Sequence, residues 1–468
     1  MPIYLKKSVV YCNITQITYS MSLYKSHCML IFICLNLSVF PQQNFELQNV
    51  KSTKIHFRLV NNLIVLPVTI NGVPLSFLLD TGVSRPIIFN FFNLKDQLSI
   101  HQTELNQIQG LGTNATIEVL RSTNNTIIIG DAIHKSHDLF AITDASINFA
   151  PSLGFEIHGI IGYDVFKDFV VEVNYSQKFI KLHDPKFYTP KFSNKWRQLP
   201  LRFYNKKPII EAAVSIEGQE IPVNLLIDTG GSDAIWLFED STQSISIPEN
   251  SFDDFLGKGL SGAIFGKRAE LESFRLSDFK LRNVNVAFPE SSSVHKERIY
   301  TLRNGSLMGE ALHHFNWVFN YKSQWVAFKK NSDFNDPFKY NKSGIVMQYS
   351  GVQLVKKTSW VPDKTSGNSS SQSSKTIKYS PSYGIEVVPE LVISEIRPSS
   401  PAAIAGLKID DVVISINSQK LSSLTLQKAI EQFYGADGKR IKMIIERNGV
   451  LMKFQFRLQD LLHKKSTN

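Results

Sequence analysis

From residue 43 to residue 330 the chain alternates short runs of β-branched and aromatic residues with Asn-Gly, Glu-Gly and other Gly-rich turns, and helical periodicity is scarce. Short apolar runs bounded by turn formers predict strands, so this part reads as mainly β. After residue 330 the pattern changes. A strand at 391–396, a Ser-Pro-Ala turn with a short helix at 400–407, a strand at 410–417 and a helix over 424–433 predict a smaller α+β unit. A Ser/Lys/Gly-rich stretch at 364–378 precedes it and reads as a mobile loop.

The β-rich part contains an internal repeat. The first copy runs Val-Thr-Ile-Asn-Gly at 68–72, then Leu78, Leu79, Asp80, Thr81, Gly82, Val83 and Ser84, then Ile160, Ile161 and Gly162. The second runs Val-Ser-Ile-Glu-Gly at 214–218, then Leu226, Ile227, Asp228, Thr229, Gly230, Gly231 and Ser232, then Leu307, Met308 and Gly309. Asp80 stands 82 positions before Gly162, and Asp228 stands 81 before Gly309. After each of those glycines comes a similar pair of strands, at 169–180 and at 317–326. Such agreement predicts two duplicated lobes, with a boundary near 185–200 where Lys, Pro and aromatic residues break the strand pattern.

Each copy contributes one aspartate on an Asp-Thr-Gly turn. Amide hydrolysis without a metal or a covalent intermediate needs one group to activate water and another to protonate the substrate. Two carboxylates sharing one proton supply both. The glycine lets the backbone turn and approach closely with no Cβ in the way. A single Asp-Thr-Gly is weak, since the tripeptide is common in surface turns. Two copies, each preceded by apolar residues, followed by x-Ser and matched in distance to an apolar-apolar-Gly, are specific.

Residues 43–330 resemble bilobal aspartic proteases of the pepsin and retropepsin-like superfamily, and 391–433 resembles a PDZ domain. Together they look like the aspartyl-protease/PDZ proteins of bacterial envelopes. The resemblance implies a mainly β fold, with two acid-protease lobes related by a pseudo-twofold axis and an α+β PDZ-like domain. The expected domains are a leader at 1–42, lobes at 43–190 and 191–332, and a PDZ-like domain at 333–462 with the Ser-rich insertion at 364–378. It implies Asp80 and Asp228 as the catalytic pair, with Thr81, Gly82, Ser84, Thr229, Gly230 and Ser232 supporting their loops. By the same resemblance each threonine bonds across to the other lobe, and each apolar-apolar-Gly strand packs behind its loop.

Two departures from the pepsin pattern stand out. The position three after each Asp holds Val83 or Gly231 in place of a hydroxyl donor, which predicts a less acidic pair and activity toward mildly acidic or neutral pH. No Tyr-Gly flap tip lies between Asp80 and Gly162. Gly110 and Gly112 in the first lobe, and Gly259 and Gly262 in the second, read instead as paired flaps or as ordinary hairpin turns.

A PDZ domain takes an extended peptide by strand addition and holds its terminal carboxylate on a Gly-containing loop. Ser343, Gly344 and Ile345 are the favoured candidates for that loop, with Ser-Tyr-Gly-Ile at 382–385 as the alternative. The expected partners are therefore protein or peptide substrates, and C-terminal peptides at the PDZ domain. The rival reading is a catalytically inactive protease fold kept as an envelope scaffold that binds peptides through its PDZ domain.

Composition narrows the field. A chain of 468 residues exceeds one hydrophobic core and predicts about three domains. The net charge of +10 is scattered, without the basic stripe and interleaved aromatics of a nucleic-acid groove, so no nucleic-acid partner is expected. His134, His137, His313 and His314 have no Cys or His-Glu-x-x-His companion, and no phosphate loop or Gly-x-Ser-x-Gly elbow occurs. No metal or cofactor is therefore expected. Asp164 and Glu310, beside the two apolar-apolar-Gly motifs, read as residues that cap or orient neighbouring segments.

Cys12, Cys28 and Cys34 all fall in the first 34 residues, so no disulfide is available to the rest of the chain. An apolar run at 29–40 is shorter than the roughly 20 residues of a spanning helix and reads as a signal-peptide core, with Met21 as the expected start. An uncleaved membrane anchor is the alternative. Either way the protein is expected to be exported: periplasmic, envelope-associated or secreted.

Overall fold

The two Val-x-Ile-x-Gly segments close hairpins. Asn71 and Gly72 have φ of 47° and 87°, and Glu217 and Gly218 have 49° and 80°. Two successive positive φ values give the turn whose twist matches paired strands. Leu63–Ile70 is thereby folded onto Val73–Leu79, and Lys207–Ile216 onto Gln219–Asp228. In a computed structural model, residues 44–112, 116–294, 302–362, 379–420 and 424–462 are described. The leader, its cysteines and the Ser-rich stretch lie outside these residues. Among the described residues no helix is long and apolar enough to cross a membrane.

Each half then repeats the same pairing. Gly159–Ile161 lies parallel to Val73–Leu79 and antiparallel to Ile87–Ile88, which in turn runs parallel to Ala132–Ile142. Gly305–Met308 lies parallel to Gln219–Asp228 and antiparallel to Ile235–Leu237, which runs parallel to Phe279–Pro289. The strands ending in each Asp-Thr-Gly lie inside these sheets, and their last apolar residues, 77–79 and 225–227, are buried.

A six-stranded sheet joins the halves in the order Arg197–Pro200, Trp325–Lys330, Phe315–Asn320, Val170–Asn174, Phe179–His183, Ser52–His56. Its central pairing sets Val171 opposite Phe319 and Val173 opposite Trp317. The strand pairs that follow the two glycine motifs are thus neighbours in one sheet. Beneath it lies a shared core containing Phe166, Phe315, Trp317, Phe319 and Phe328, all nearly inaccessible to solvent. Each such ring contributes on the order of 1.5–3 kcal/mol of burial.

The C-terminal sheet runs Ile345–Pro362, Tyr379–Ile396, Val412–Ile416, Arg440–Arg447, Val450–Arg457. Its separate core includes Met347, Ile393, Leu407, Val413, Phe433 and Ile441. Ser400 caps the helix Pro401–Ile404, with Pro401 in its first turn, and Thr425 caps the helix Leu426–Glu431. The strand expected at 391–396 is longer, because 352–362 and 379–389 form a two-stranded ribbon with Gly384 opposite Lys357. The described residues from 45 to 462 form one compact unit.

Candidate active site

Register brings the two Asp-Thr-Gly turns together. Asp80 N donates to the Ile161 carbonyl at 2.8 Å, and Gly309 N donates to the Gly231 carbonyl at 2.8 Å, so each turn leans on its own apolar-apolar-Gly strand. A side chain at Gly162 has no room: a β-carbon there would stand 1.7 Å from the Asp80 carbonyl oxygen.

The threonines fasten one turn to the other. Thr81 Oγ1 donates to the Ile227 carbonyl at 2.6 Å and accepts from Thr229 N at 3.1 Å. Thr229 Oγ1 donates to the Leu79 carbonyl at 2.6 Å and accepts from Thr81 N at 3.1 Å. Both side chains are buried, so all four polar groups depend on this exchange.

Above it the carboxyl groups of Asp80 and Asp228 share one small space. A β-carbon on Gly230 would lie 2.3 Å from Asp80 Cγ, while one on Gly82 would lie 3.0 Å from Asp80 Oδ1 and 3.6 Å from Asp228 Oδ1. Gly82 N donates to Asp80 Oδ1 at 2.7 Å, and Gly230 N to Asp228 Oδ1 at 3.0 Å. Ser84 and Ser232 are exposed; Ser232 offers only its carbonyl, to Asn62 Nδ2 at 3.0 Å. Among the described residues neither serine hydroxyl bonds to the pair.

Burial, and then the neighbouring Asp228, push the Asp80 carboxyl up to about 7, against the opposing pull of the Gly82 N–H and Lys207. Burial also raises Asp228, opposed by Arg303, the Gly230 N–H, Lys207 and the Gly231 N–H. Two groups that face each other so closely titrate as a pair. The donors are backbone N–H groups, as Val83 and Gly231 leave no hydroxyl there.

The two cations were not legible as site residues. Lys207 opens the strand Lys207–Ile216, where a lysine is ordinarily a solvated edge residue, and nothing in the sequence marks it. Its ammonium is held low by burial and by Arg303, and makes no hydrogen bond or ion pair among the described residues. Arg303 donates to the Gly305 carbonyl at 2.9 Å and Ser306 Oγ at 2.6 Å; its place just before Leu307, Met308 and Gly309 was the available signal. Both line the same cavity as the aspartates, whose volume is about 1550 Å³.

The Gly-rich loops meet over this cavity. Gly110 N donates to Ser261 Oγ at 3.1 Å, Ser261 N donates to the Leu111 carbonyl at 3.0 Å, and Gly112 is bridged to Ser261. Gly112 and Gly262 have φ of 131° and 123°, values at which side chains are strained. A β-carbon on Gly259 would press to 2.2 Å from the Leu111 carbonyl oxygen.

The sequence comparisons fit this geometry. The aspartyl protease family matches residues 66–165 and again 212–305, and the PDZ domain family matches 366–446. The chain thus carries two aspartyl protease-family segments followed by a PDZ domain. Over 78 residues it is also 27% identical to the serine endoprotease DegS of Salmonella typhimurium (strain 14028s / SGSC 2262), a stretch equal to 16% of this chain and 21% of that protein. The chain thus spans about a fifth of that relative's length.

The PDZ sheet extends past the matched segment on both sides, to Ile345–Pro362 and Val450–Arg457. In its loop Ser343 is fully buried, Gly344 has φ of 81° and Ile345 belongs to the core. The alternative loop at 382–385 lies in the ribbon, with Tyr383 and Ile385 exposed.

The histidines pack in pairs. His134 and His137 stack edge to face, and His137 Nε2 lies 3.3 Å from Asp164 Oδ2. His313 stacks on His314, which burial pushes down to about 4. Glu310 lines the cavity and is pushed up to about 7 by burial and by Asp233; it accepts weakly from Lys339 N and Asn285 Nδ2. Among the described residues no three potential ligands cluster as a metal would need.

Proposed function

We propose that this protein is an aspartic endopeptidase, in which Asp80 and Asp228 activate a water between them. The observation that carries the reading is the placement of both carboxyl groups within one buried space, held by the exchange between Thr81 and Thr229. Of the pair, one carboxyl is ionised and one protonated. The ionised one takes a proton from water as its oxygen attacks the scissile carbonyl carbon, and the protonated one gives its proton to the carbonyl oxygen. When the tetrahedral intermediate collapses, the amide nitrogen leaves with a proton returned from the pair, and a carboxylic acid and an amine result. The flaps carrying Gly110, Leu111, Gly259 and Leu260 would exclude bulk water from this step.

The test is digestion of a denatured protein mixture by the purified chain, beside Asp80→Asn and Asp228→Asn. Cleavage blocked by a statine-type analogue and absent from both variants is expected. Undiminished cleavage in either variant removes the pair from the mechanism, and no cleavage by the parent favours the scaffold reading. The leader read at 1–42 makes export part of this proposal; recovery of the protein in the cytosolic fraction alone would contradict it.

A further inference from the structure

The strand Ile345–Pro362 is outermost in its sheet and, among the described residues, pairs only with Tyr379–Ile396. Its first residues, among them Val346 and Gln348, face the cavity, and Gln427 and Ile430 of the helix Leu426–Glu431 line it too. An open strand edge opposite a helix accepts an extended chain as a further strand. Here that groove belongs to the same cavity as Asp80 and Asp228, and the first half closes on its far end, where Gln427 Nε2 donates to the Leu153 carbonyl.

At the other end stands the loop leading into Gly344. Its N–H groups are already engaged: Asn341 Oδ1 accepts from Ser343 N at 2.9 Å and Gly344 N at 3.3 Å, and Ser343 Oγ accepts from Ile345 N at 3.0 Å. Lys342 N donates to the Phe433 carbonyl at 3.1 Å. A ligand carboxylate therefore finds no free backbone donor there.

Arg397 lies directly beside this loop, and its N donates to the Gly344 carbonyl at 2.8 Å. Its side chain is 4% exposed and lines the cavity. Nη1 is 3.5 Å from Asp254 Oδ1, and the Phe252 ring covers one face at 4.4 Å, while Nε and Nη2 are buried with no hydrogen-bond partner among the described residues. The charged or titratable neighbours are Asp254, Arg268 and the neutral phenol of Tyr340, and Arg268 is itself taken by Asp233 and Asp254.

Elsewhere in this chain the same edge of an arginine, Nε with Nη2, grips one carboxylate by both oxygens: Arg197 on Asp278, Arg275 on Glu220 and Arg447 on Asp411. On Arg397 that edge is buried and meets no acceptor among the described residues, an arrangement a carboxylate would complete.

We propose that the C-terminal segment of a substrate polypeptide occupies this groove, its terminal carboxylate on Arg397, while an upstream part of the same polypeptide crosses the aspartate pair. The proposal rests on the protease reading for its second half only. With one end anchored, the bond cut is set by its distance from the C terminus.

The binding test uses the full chain carrying Asp80→Asn and short labelled peptides made either as the free acid or as the C-terminal amide, read by fluorescence anisotropy. The acid is expected to bind at least about tenfold more tightly than the amide. Arg397→Met should erase that preference, with thermal unfolding checked alongside, and Ile430→Arg on the groove wall should weaken both forms. Equal affinity of acid and amide, or a preference that survives Arg397→Met, overturns the site. With the unaltered chain, peptides carrying one cleavable sequence at different distances from the end should be cut at a constant count from the C terminus. Cuts that follow the sequence instead overturn the shared occupancy. A chain that cuts nothing sinks the protease reading, and the comparison of acid with amide still decides Arg397.

Discussion

Thr81 and Thr229 each donate a hydroxyl proton to the other half's main chain and each accept the other's N–H, at matching distances of 2.6 Å and 3.1 Å. Valine has the shape of threonine without the hydroxyl. Thr81→Val leaves the Thr229 N–H and the Ile227 carbonyl buried and unpaired, which costs about 1–3 kcal/mol for each group. Lower unfolding midpoints are expected in either single variant, with kcat falling more than KM changes. The double variant should cost less than the two singles combined, since they dismantle one network. Strict additivity would show that the two residues act separately.

Burial and Asp228 raise Asp80 to about 7, and the proposed hydrolysis needs one proton on the pair. Activity is thus expected to decline as pH rises through about 7. Lys207 lowers both aspartates, so Lys207→Met should raise them and move the alkaline limb of the kcat/KM profile upward. A limb that stays in place, or moves downward, would show that the ammonium does not act on the pair.

The same shift bears on stability. The fold favours the protonated Asp80, so its penalty is absent below the usual 3.8, grows as pH rises, and is complete above about 7. Asp80→Asn removes an ionising group from that site. The variant should therefore be more stable than the parent at about pH 8, by up to about 4 kcal/mol, and should converge with it near pH 4. Denaturant unfolding at both pH values checks this, and a parent that is the more stable at alkaline pH contradicts it.

At the flaps, Gly259→Ala sets a β-carbon against the Leu111 carbonyl and should force the two loops apart. A raised KM is expected with little change in unfolding midpoint, because the loops lie outside the main core. Gly218→Ala makes a control: its β-carbon meets nothing within 4 Å, so only the positive φ of 80° resists it. That control should lose on the order of 1 kcal/mol of stability and leave KM unchanged. Equal KM values in the two variants would argue against contact between the loops and substrate.

Turn chemistry and spacing made most of the site readable. Asp80, Thr81 and Gly82 announce themselves because a tight turn restricts which residues it accepts, and the second copy repeats the restriction at Asp228, Thr229 and Gly230. Lys207 was hidden because its place beside the pair follows from how Lys207–Ile216 registers on Gln219–Asp228, which local pattern does not encode. The six-stranded sheet was hidden for a similar reason: the runs at 169–175 and 317–321 read as equivalent strands, but pairing between distant strands leaves no local mark. In the PDZ domain Gly344 could be located by its turn, whereas the use of the loop's own N–H groups by Asn341 depends on a side-chain rotamer.

The sheet shared by the two halves also governs when during synthesis the proposed catalytic pair can form. Val170–Asn174 must wait for Phe315–Asn320, and Asp80 must wait for the turn at Asp228 and for the strand behind it that ends at Met308. A nascent polypeptide still short of those segments carries a lone aspartate with no companion. On the proposed aspartic mechanism, the cell that makes the protein is shielded from it until translation of both halves is complete.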